Sequence, residues 1–297
     1  MAWEGTSDRD DSGSGPPDPA RRSPVEWVAI GLTAVAFVAV AVATTLVFIQ
    51  FRAGAAQQPP GPYVRAHAIP AGTPGTAATP GAAGTTGASG SGSAGPSDPS
   101  SSPLDRVDHA WAASAAAATG IPDRALLAYA SADLTIEAQQ PSCALGWNTL
   151  AAIGTVESAN GTYGGATLLA NGYTSKPIIG VPLNGGKFGG SKVAAIPDTD
   201  HGKLDGDTRW DHAVGPLQFI PSTWARWGAD GNGDGVASPD QIDDAALTAA
   251  RYLCASGTMT TSASWRAAVF SYNQSNAYVN EVASIANRYA AETSGLS

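Results

Sequence analysis

Leu150-Ala-Ala-Ile153-Gly-Thr-Val156-Glu157, broken at once by Ser158-Ala-Asn160-Gly161, is the stretch on which the reading of this chain turns. Residues three, four and seven apart share a helix face, so Glu157 lies over Ile153 and Leu150 instead of pointing at water. Desolvation disfavours the carboxylate and can lift a glutamate pKa to about 6, where a general acid works near neutral pH. The helix alone is equally compatible with a structural glutamate, partly buried and held by polar neighbours.

Helical signals continue on both sides. Leu104 to Ala118 is alanine-rich and stopped by Gly120, and Pro122 starts a second helix carrying Leu126, Leu127, Tyr129 and Leu134. Gly146 to Glu157 carries the acid. Pro221 opens a helix with Trp224 and Trp227; Ile242 to Cys254, Ser264 to Tyr272 and Ala277 to Ala291, the last behind a Ser275 cap, complete a mainly α domain over 104–297. The Gly-, Pro- and Asp-rich stretch between Gly161 and Val214 has no sustained period, and loops of that length inside a compact domain are usually functional.

The formal net charge of −9 and pI near 4.7 average over segments of different kinds. Residues 1–25 are polar and too poor in apolar surface to offset ordering entropy, so a disordered cytoplasmic leader is expected. Residues 26–51 read as a single membrane anchor, a signal sequence cleaved at Ala53-Gly54-Ala55 being the alternative, because Trp27 to Ile49 runs uncharged for about 23 residues. As a helix that is about 34 Å, against a hydrocarbon core of about 30 Å. Arg21 and Arg22 precede the span while Arg52 and Arg65 come after it, a weak bias on count alone. A short leader inside and a long domain outside is the simpler topology: a single-pass protein of the cell membrane whose domain faces the cell wall. Residues 52–103 are built from Ala, Gly, Pro, Ser and Thr and read as a disordered linker, with a root-mean-square span of roughly 40 Å. The two cysteines, Cys143 and Cys254, form no CxxC and have no histidine cluster nearby. One disulfide closing about 110 residues, worth up to roughly 4 to 5 kcal/mol, suits an exported domain; two buried thiols are the alternative.

Two further segments bear on chemistry. In Gly215-Pro-Leu-Gln218-Phe-Ile-Pro-Ser-Thr-Trp224 a lone glutamine sits between apolar neighbours and must find hydrogen-bond partners in backbone or ligand. Tyr272-Asn273-Gln274-Ser275, with Tyr278 beyond it, joins two helices. With Glu157-Ser158 and Gly161 these motifs, in this order, resemble the lytic murein transglycosylases, closest to the B-type group with its lysozyme-like (SLT) domain. The resemblance covers roughly Ile121 to Tyr289. Gly120-Ile-Pro122 and Leu204-Asp-Gly-Asp207 with Trp210-Asp211 are similar to actinobacterial membrane-anchored members in particular.

The resemblance implies a peptidoglycan lyase cleaving the β-1,4 bond between N-acetylmuramic acid and N-acetylglucosamine to leave 1,6-anhydromuramoyl ends. Glu157 would be the one catalytic residue, first general acid and then general base toward the muramoyl C6 hydroxyl. Gln218, Tyr272 and Asn273 would bind the glycan or orient the acid, the alternative for Tyr272 and Asn273 being to cap a helix and pack the core. Ser158, placed with the substrate-binding residues, would hydrogen-bond the acid or else cap the helix end. Ordinary glycosidases pair two carboxyl groups, whereas an intramolecular hydroxyl has high effective molarity and needs no positioned water. Asp198, Asp200, Asp205, Asp207 and Asp211 precede Gln218, so a muramidase using one of them with water stands as an alternative; a non-catalytic wall-binding scaffold is another. Glycan strands are the expected partner, besides the membrane through the N-terminal helix; no nucleic acid is expected, and protein partners are not specified.

Asp230-Gly-Asn232-Gly-Asp234-Gly235-Val236 matches the front half of an EF-hand loop, with oxygen donors at the first, third and fifth places, the turn glycine and a carbonyl at the seventh. Gln241 stands where the bidentate glutamate belongs. In B-type transglycosylases the last carboxylate comes late, which implies Asp244, with Asp243 second. A structural Ca²⁺ is the expected ligand, an unmetallated turn the alternative. No cofactor is expected for the chemistry.

Overall fold

The computed structural model of the protein describes residues 64–68, 102–188 and 191–296. The expected leader, the membrane span over 26–51 and most of the linker lie outside them. Among the described residues no helix is long and apolar enough to cross a membrane.

Seven α-helices form the described domain: α1 (His109–Thr119), α2 (Asp123–Gln139), α3 (Trp147–Ser158), α4 (Pro221–Trp227), α5 (Ile242–Cys254), α6 (Ser262–Tyr272) and α7 (Asn276–Glu292). Their ends follow side-chain chemistry. Asp108 accepts the N–H groups of Ala110 and Trp111 to start α1, later than the expected start at Leu104, because Pro103–Arg106 forms a separate 3₁₀ turn. Gly120, at φ 72°, ends it. Gln241 accepts from the amides of Asp243 and Asp244 to open α5, and Ser275 caps α7 through the amide of Tyr278.

The helix carrying the acid is buried over most of its length in the described domain. Every residue from Trp147 to Gly154 is buried, which is why the sequence there is an apolar run. α3 packs chiefly on α7, while α2 packs chiefly on α5. Close approach to α2 requires Gly154, since a Cβ there would lie 2.0 Å from the hydroxyl of buried Tyr129. That hydroxyl donates to Asn160 Oδ1 at 3.0 Å; Asn160 bonds Thr155 in turn, and Thr155 Oγ1 meets the Tyr289 hydroxyl at 2.8 Å. The C-terminal end of α3 is thereby tied to α2 and α7.

Between α3 and α4 the chain has little regular structure. Lys187–Phe188 (β1) and Ser191–Lys192 (β2) form a short antiparallel pair, and isolated bridges such as Ile179 with Val214 hold the rest.

Cys143 and Cys254 are joined, both buried, with Cα atoms 5.4 Å apart. The link fastens the turn before α3 to the end of α5, and Met259 N–H donates to the Cys143 carbonyl beside it. Replacing both cysteines by serine should cost about 3 to 4 kcal/mol, read as a fall in denaturant midpoint in urea titration. No loss of stability would mean the link adds nothing to the packing around it.

Residues 64–68, which composition assigns to the linker, lie against α1 and α2.

Candidate active site

The end of α3 sets the site. Ala159, Asn160 and Gly161 all take left-handed φ values of 51°, 58° and 82°, so the chain turns sharply after Glu157 and leaves that side chain at the helix terminus. Glu157 is partly exposed. Burial of its surroundings pushes its pKa up to about 7, and the hydrogen bond it receives from Tyr278 opposes this only in part. The Tyr278 hydroxyl donates to Glu157 Oε1 at 2.6 Å. Burial, and then the nearby Glu157 charge, push the phenol well above its ordinary range, so it stays a donor.

The sequence motif includes Tyr278 but gives it no role. Its signal is indirect, a tyrosine three residues after the Ser275 cap, and only the packing of α7 on α3 brings it to the acid.

The loop carrying Gln218 is fastened from three sides. Val214 and Phe219 exchange main-chain hydrogen bonds at 2.9 and 3.0 Å, closing a tight turn. Ser158 Oγ donates to the Pro216 carbonyl at 2.6 Å and accepts from Gly161 N–H. Tyr272 donates its hydroxyl to the Leu217 carbonyl at 2.7 Å, its ring edge-on to Phe219 and Tyr252. Expected among the sugar-contacting groups, Ser158 is instead only 1% exposed, with its hydroxyl committed to main chain on both sides. It is a pin between α3 and the loop. The Tyr272 hydroxyl is committed in the same way, while its ring is partly open and near enough to Glu157 for that charge to help hold the phenol protonated, after burial.

Gln218 adopts φ 50°, and its amide donates to the carbonyls of Ile178 and Gly215 at 3.2 and 2.8 Å. Two carbonyl neighbours fix the amide orientation and leave Oε1 as the atom available to a ligand. Asn273, exposed at the end of α6, has no side-chain hydrogen bond among the described residues. Glu157, Tyr278, Tyr272 with its neighbour Asn273, and the loop bearing Gln218 are therefore brought together by α3, α6 and α7.

Gly215 is what allows that loop. It sits at φ 76°, and a Cβ would fall 1.9 Å from the Pro239 carbonyl oxygen. Gly215→Ala should destabilise by at least about 3 kcal/mol, combining left-handed strain with a backbone collision. Thermal unfolding checks this; a near-neutral result would show that the loop is free to move.

The five aspartates between 198 and 211 organise their own loop. Asp198 and Asp200 accept main-chain N–H groups of the following turn, and Asp211, wholly buried, takes both the amide and the hydroxyl of Thr199. Asp205 accepts the amide of His212, whose ring spans the Gly180 carbonyl and Asp207 Oδ2 at 2.7 and 3.2 Å. Burial opposes protonation of that imidazole, but the Gly180 carbonyl and Asp207 outweigh it and leave its pKa raised.

In the 230–244 loop, Asp230 accepts the amides of Gly233, Asp234 and Gly235, and Asp244 those of Gly231, Asn232 and Ser238. Asp244 thus closes the loop, whereas Asp243 forms a buried fork with Arg124 and is unsuited to hold an ion. Val236 is exposed and donates its amide to Asp234. The donor types suit a hard cation, and Asp244 is raised to about 6 by burial and, less, by the like charge of Asp230. The carboxylate oxygens do not yet converge, however. Among the described residues the acidic trio within 4.8 Å of one another is Asp198, Asp200 and Asp211. An ion in this loop would have to exchange some N–H contacts for metal contacts.

No curated protein and no solved structure matches the chain. Residues 193–269, from the acidic loop through most of α6, match the family model of the transglycosylase SLT domain, a match that supports a relationship to the lytic transglycosylases.

Proposed function

We propose that this protein is a peptidoglycan lytic transglycosylase in which Glu157 acts alone, as acid and then as base. The matched region supports peptidoglycan transglycosylase activity at the family level, and that chemistry needs no cofactor. The match begins after Glu157, so the catalytic assignment rests on one observation: a half-buried carboxyl held near pKa 7 by burial, with a tyrosine hydroxyl on one oxygen.

Tyr278 donates to Oε1, which leaves Oε2 as the oxygen that carries the proton. In the first step Oε2–H is transferred to the glycosidic oxygen as the C1–O bond breaks, and the N-acetylglucosamine hydroxyl leaves. The new Glu157 carboxylate is stabilised by the Tyr278 hydrogen bond, a charge-assisted contact of the stronger kind. In the second step the carboxylate takes the proton of the muramoyl C6 hydroxyl while O6 bonds to C1. The ring closes to the 1,6-anhydro sugar, the proton is back on Oε2, and no water is consumed. Intramolecular attack supplies the effective molarity that a second carboxylate supplies in hydrolases. The aspartates between 198 and 211 accept hydrogen bonds from N–H and O–H groups of their own loop, which favours this route over the muramidase alternative. Gln218 Oε1 and Asn273 would hold the sugar. Mass spectrometry of muropeptides released from purified peptidoglycan tests the reading: anhydro ends, lighter by one water, are expected, and exclusively hydrolysed ends would contradict it.

The proposal includes a structural calcium ion held by Asp230, Asn232, Asp234, the Val236 carbonyl and Asp244. At ten times its dissociation constant calcium should add about 1.4 kcal/mol, a rise of a few degrees in Tm that Asp230→Asn removes. An unchanged Tm across the millimolar range would leave the loop an unmetallated turn. It further includes a cell-membrane location, single-pass through residues 26–51, with the domain on the outer face toward the wall.

A further inference from the structure

Five residues within the stretch read as linker, Val64 to Ala68, are built into the domain. Ala66, 7% exposed, donates its N–H to Oδ2 of Asp133 at 2.7 Å, and Asp133 is wholly buried on α2. His67 lies flat on Trp111 of α1, ring centroids 5.0 Å apart and planes 4° apart, and its carbonyl accepts Asp108 N–H at 2.8 Å. Arg65 pairs with Glu137 of α2. Gly146, just before α3, backs onto Val64 so closely that a Cβ would lie 2.5 Å from the Val64 carbonyl oxygen. Ala68 forms an antiparallel bridge with Val107. These contacts involve main chain and side chain together and reach α1, α2 and the start of α3.

The bridge has a topological consequence. Chain that leaves at Ala68 returns by Val107 to the same place, so residues 69–101 add nothing to the distance between the chain before 64 and the chain after 107. We propose that residues 64–68 are a docked strap that closes 69–101 into a side loop, so that the catalytic domain works on a tether of residues 52–63 alone. The consequence for the wall rests on the functional reading above and on the expected anchor over 26–51. Residues 52–63 reach at most about 40 Å when fully extended, whereas the whole of 52–103 would reach about 170 Å. A docked strap therefore restricts cleavage to the wall layer next to the membrane, and release of the strap restores the long reach. Burial pushes Asp133 up to about 7 against the Ala66 and Trp147 N–H groups and Arg65, consistent with a carboxyl covered by the strap instead of by solvent.

The full chain in detergent tests this by amide hydrogen exchange. The Ala66 and Asp108 amides should be protected. Asp133→Leu, which removes the acceptor, should free Ala66, and Asp133→Asn, which keeps an acceptor oxygen, should restore protection. Because Asp133→Leu can unfold the domain, a second arm pairs Ala68→Cys with Val107→Cys, expected to cross-link in the folded chain and be found by peptide mapping. Deleting 70–100 should leave the rate of release from intact walls unchanged within about twofold and raise Tm by a few degrees, since only side-loop closure entropy is altered. Free exchange at Ala66 in the wild type, or no cross-link, overturns the strap; so does a deletion that slows release as strongly as removing 53–62. The exchange and cross-link arms need neither activity nor a membrane, so they fail only if the strap is wrong. A silent peptidoglycan assay with both arms positive counts against the functional reading alone.

Discussion

Glu157→Gln should lower release of muropeptides by about a thousandfold or more while making the protein more stable at about pH 8. The loss follows from removing the proton donor: glutamine keeps the shape and still accepts from Tyr278, but has no proton to give at the glycosidic oxygen. The gain follows from linkage. The folded-state pKa of Glu157, about 7, lies above its ordinary value of 4.5. A raised carboxyl contributes stability fully present below its unfolded pKa and lost as pH rises through the folded one. Between about pH 4.5 and 7 the wild type therefore forfeits up to about 3 kcal/mol that the glutamine variant keeps. Thermal unfolding at about pH 4 and pH 8 measures this; the difference between the two proteins should vanish at the lower pH and be several degrees in Tm at the higher. Asp133, also raised to about 7 from 3.8, adds a second fall of the same sign that Asp133→Asn should remove. Equal activity in the variant would end the catalytic assignment, and equal stability at about pH 8 would mean Glu157 ionises without hindrance.

Tyr278→Phe should keep the fold and lose most of the turnover. The phenol is buried, and phenylalanine fills the same space without the 2.6 Å bond to Glu157 Oε1. A hydrogen bond to a charged group is worth about 1.5–3 kcal/mol, so the carboxylate formed in the first step is destabilised by that much. The Glu157 pKa rises further, by about one to two units, because the group that lowered it has gone. The expected result is a kcat lower by about 10- to 100-fold, with the basic limb of the pH–rate profile displaced upward by about a unit. A merely structural role for Tyr278 would lower Tm and leave the limb where it was. An unchanged profile with unchanged kcat would remove Tyr278 from the site altogether.

Local signals in the sequence carry much of this architecture. α5 begins and ends where its pattern predicts, because Gln241 and the run Ile242 to Cys254 combine a cap with strong apolar periodicity. α4 starts at Pro221, and the apolar run before Glu157 does form a buried helix. The features that were not legible depend on partners far along the chain. Ser158 looks like a neighbour of the substrate, yet its hydroxyl is used by a carbonyl 58 residues away. Asp243 looks like a spare calcium ligand until Arg124, 119 residues distant, pairs with it. The segment 64–68 departs from the Ala/Gly/Pro/Ser/Thr run around it at Val64, Arg65 and His67, but its place in the fold depends on Asp133 and Trp111, far along the chain. Tyr278 needs α7 laid across α3. Periodicity and caps report on neighbours within a few residues; hydrogen-bond partners at such separations follow only from the packed fold.

The central claim is that one carboxyl cleaves the glycan without water. The most direct measurement digests purified peptidoglycan with the full chain in water labelled with heavy oxygen and reads the isotope at the new muramoyl C1. If O6 closes on C1, the released ends carry no heavy oxygen and lack one water. If heavy oxygen appears at C1 in the products, a water molecule was the nucleophile, and the lone-glutamate account is contradicted.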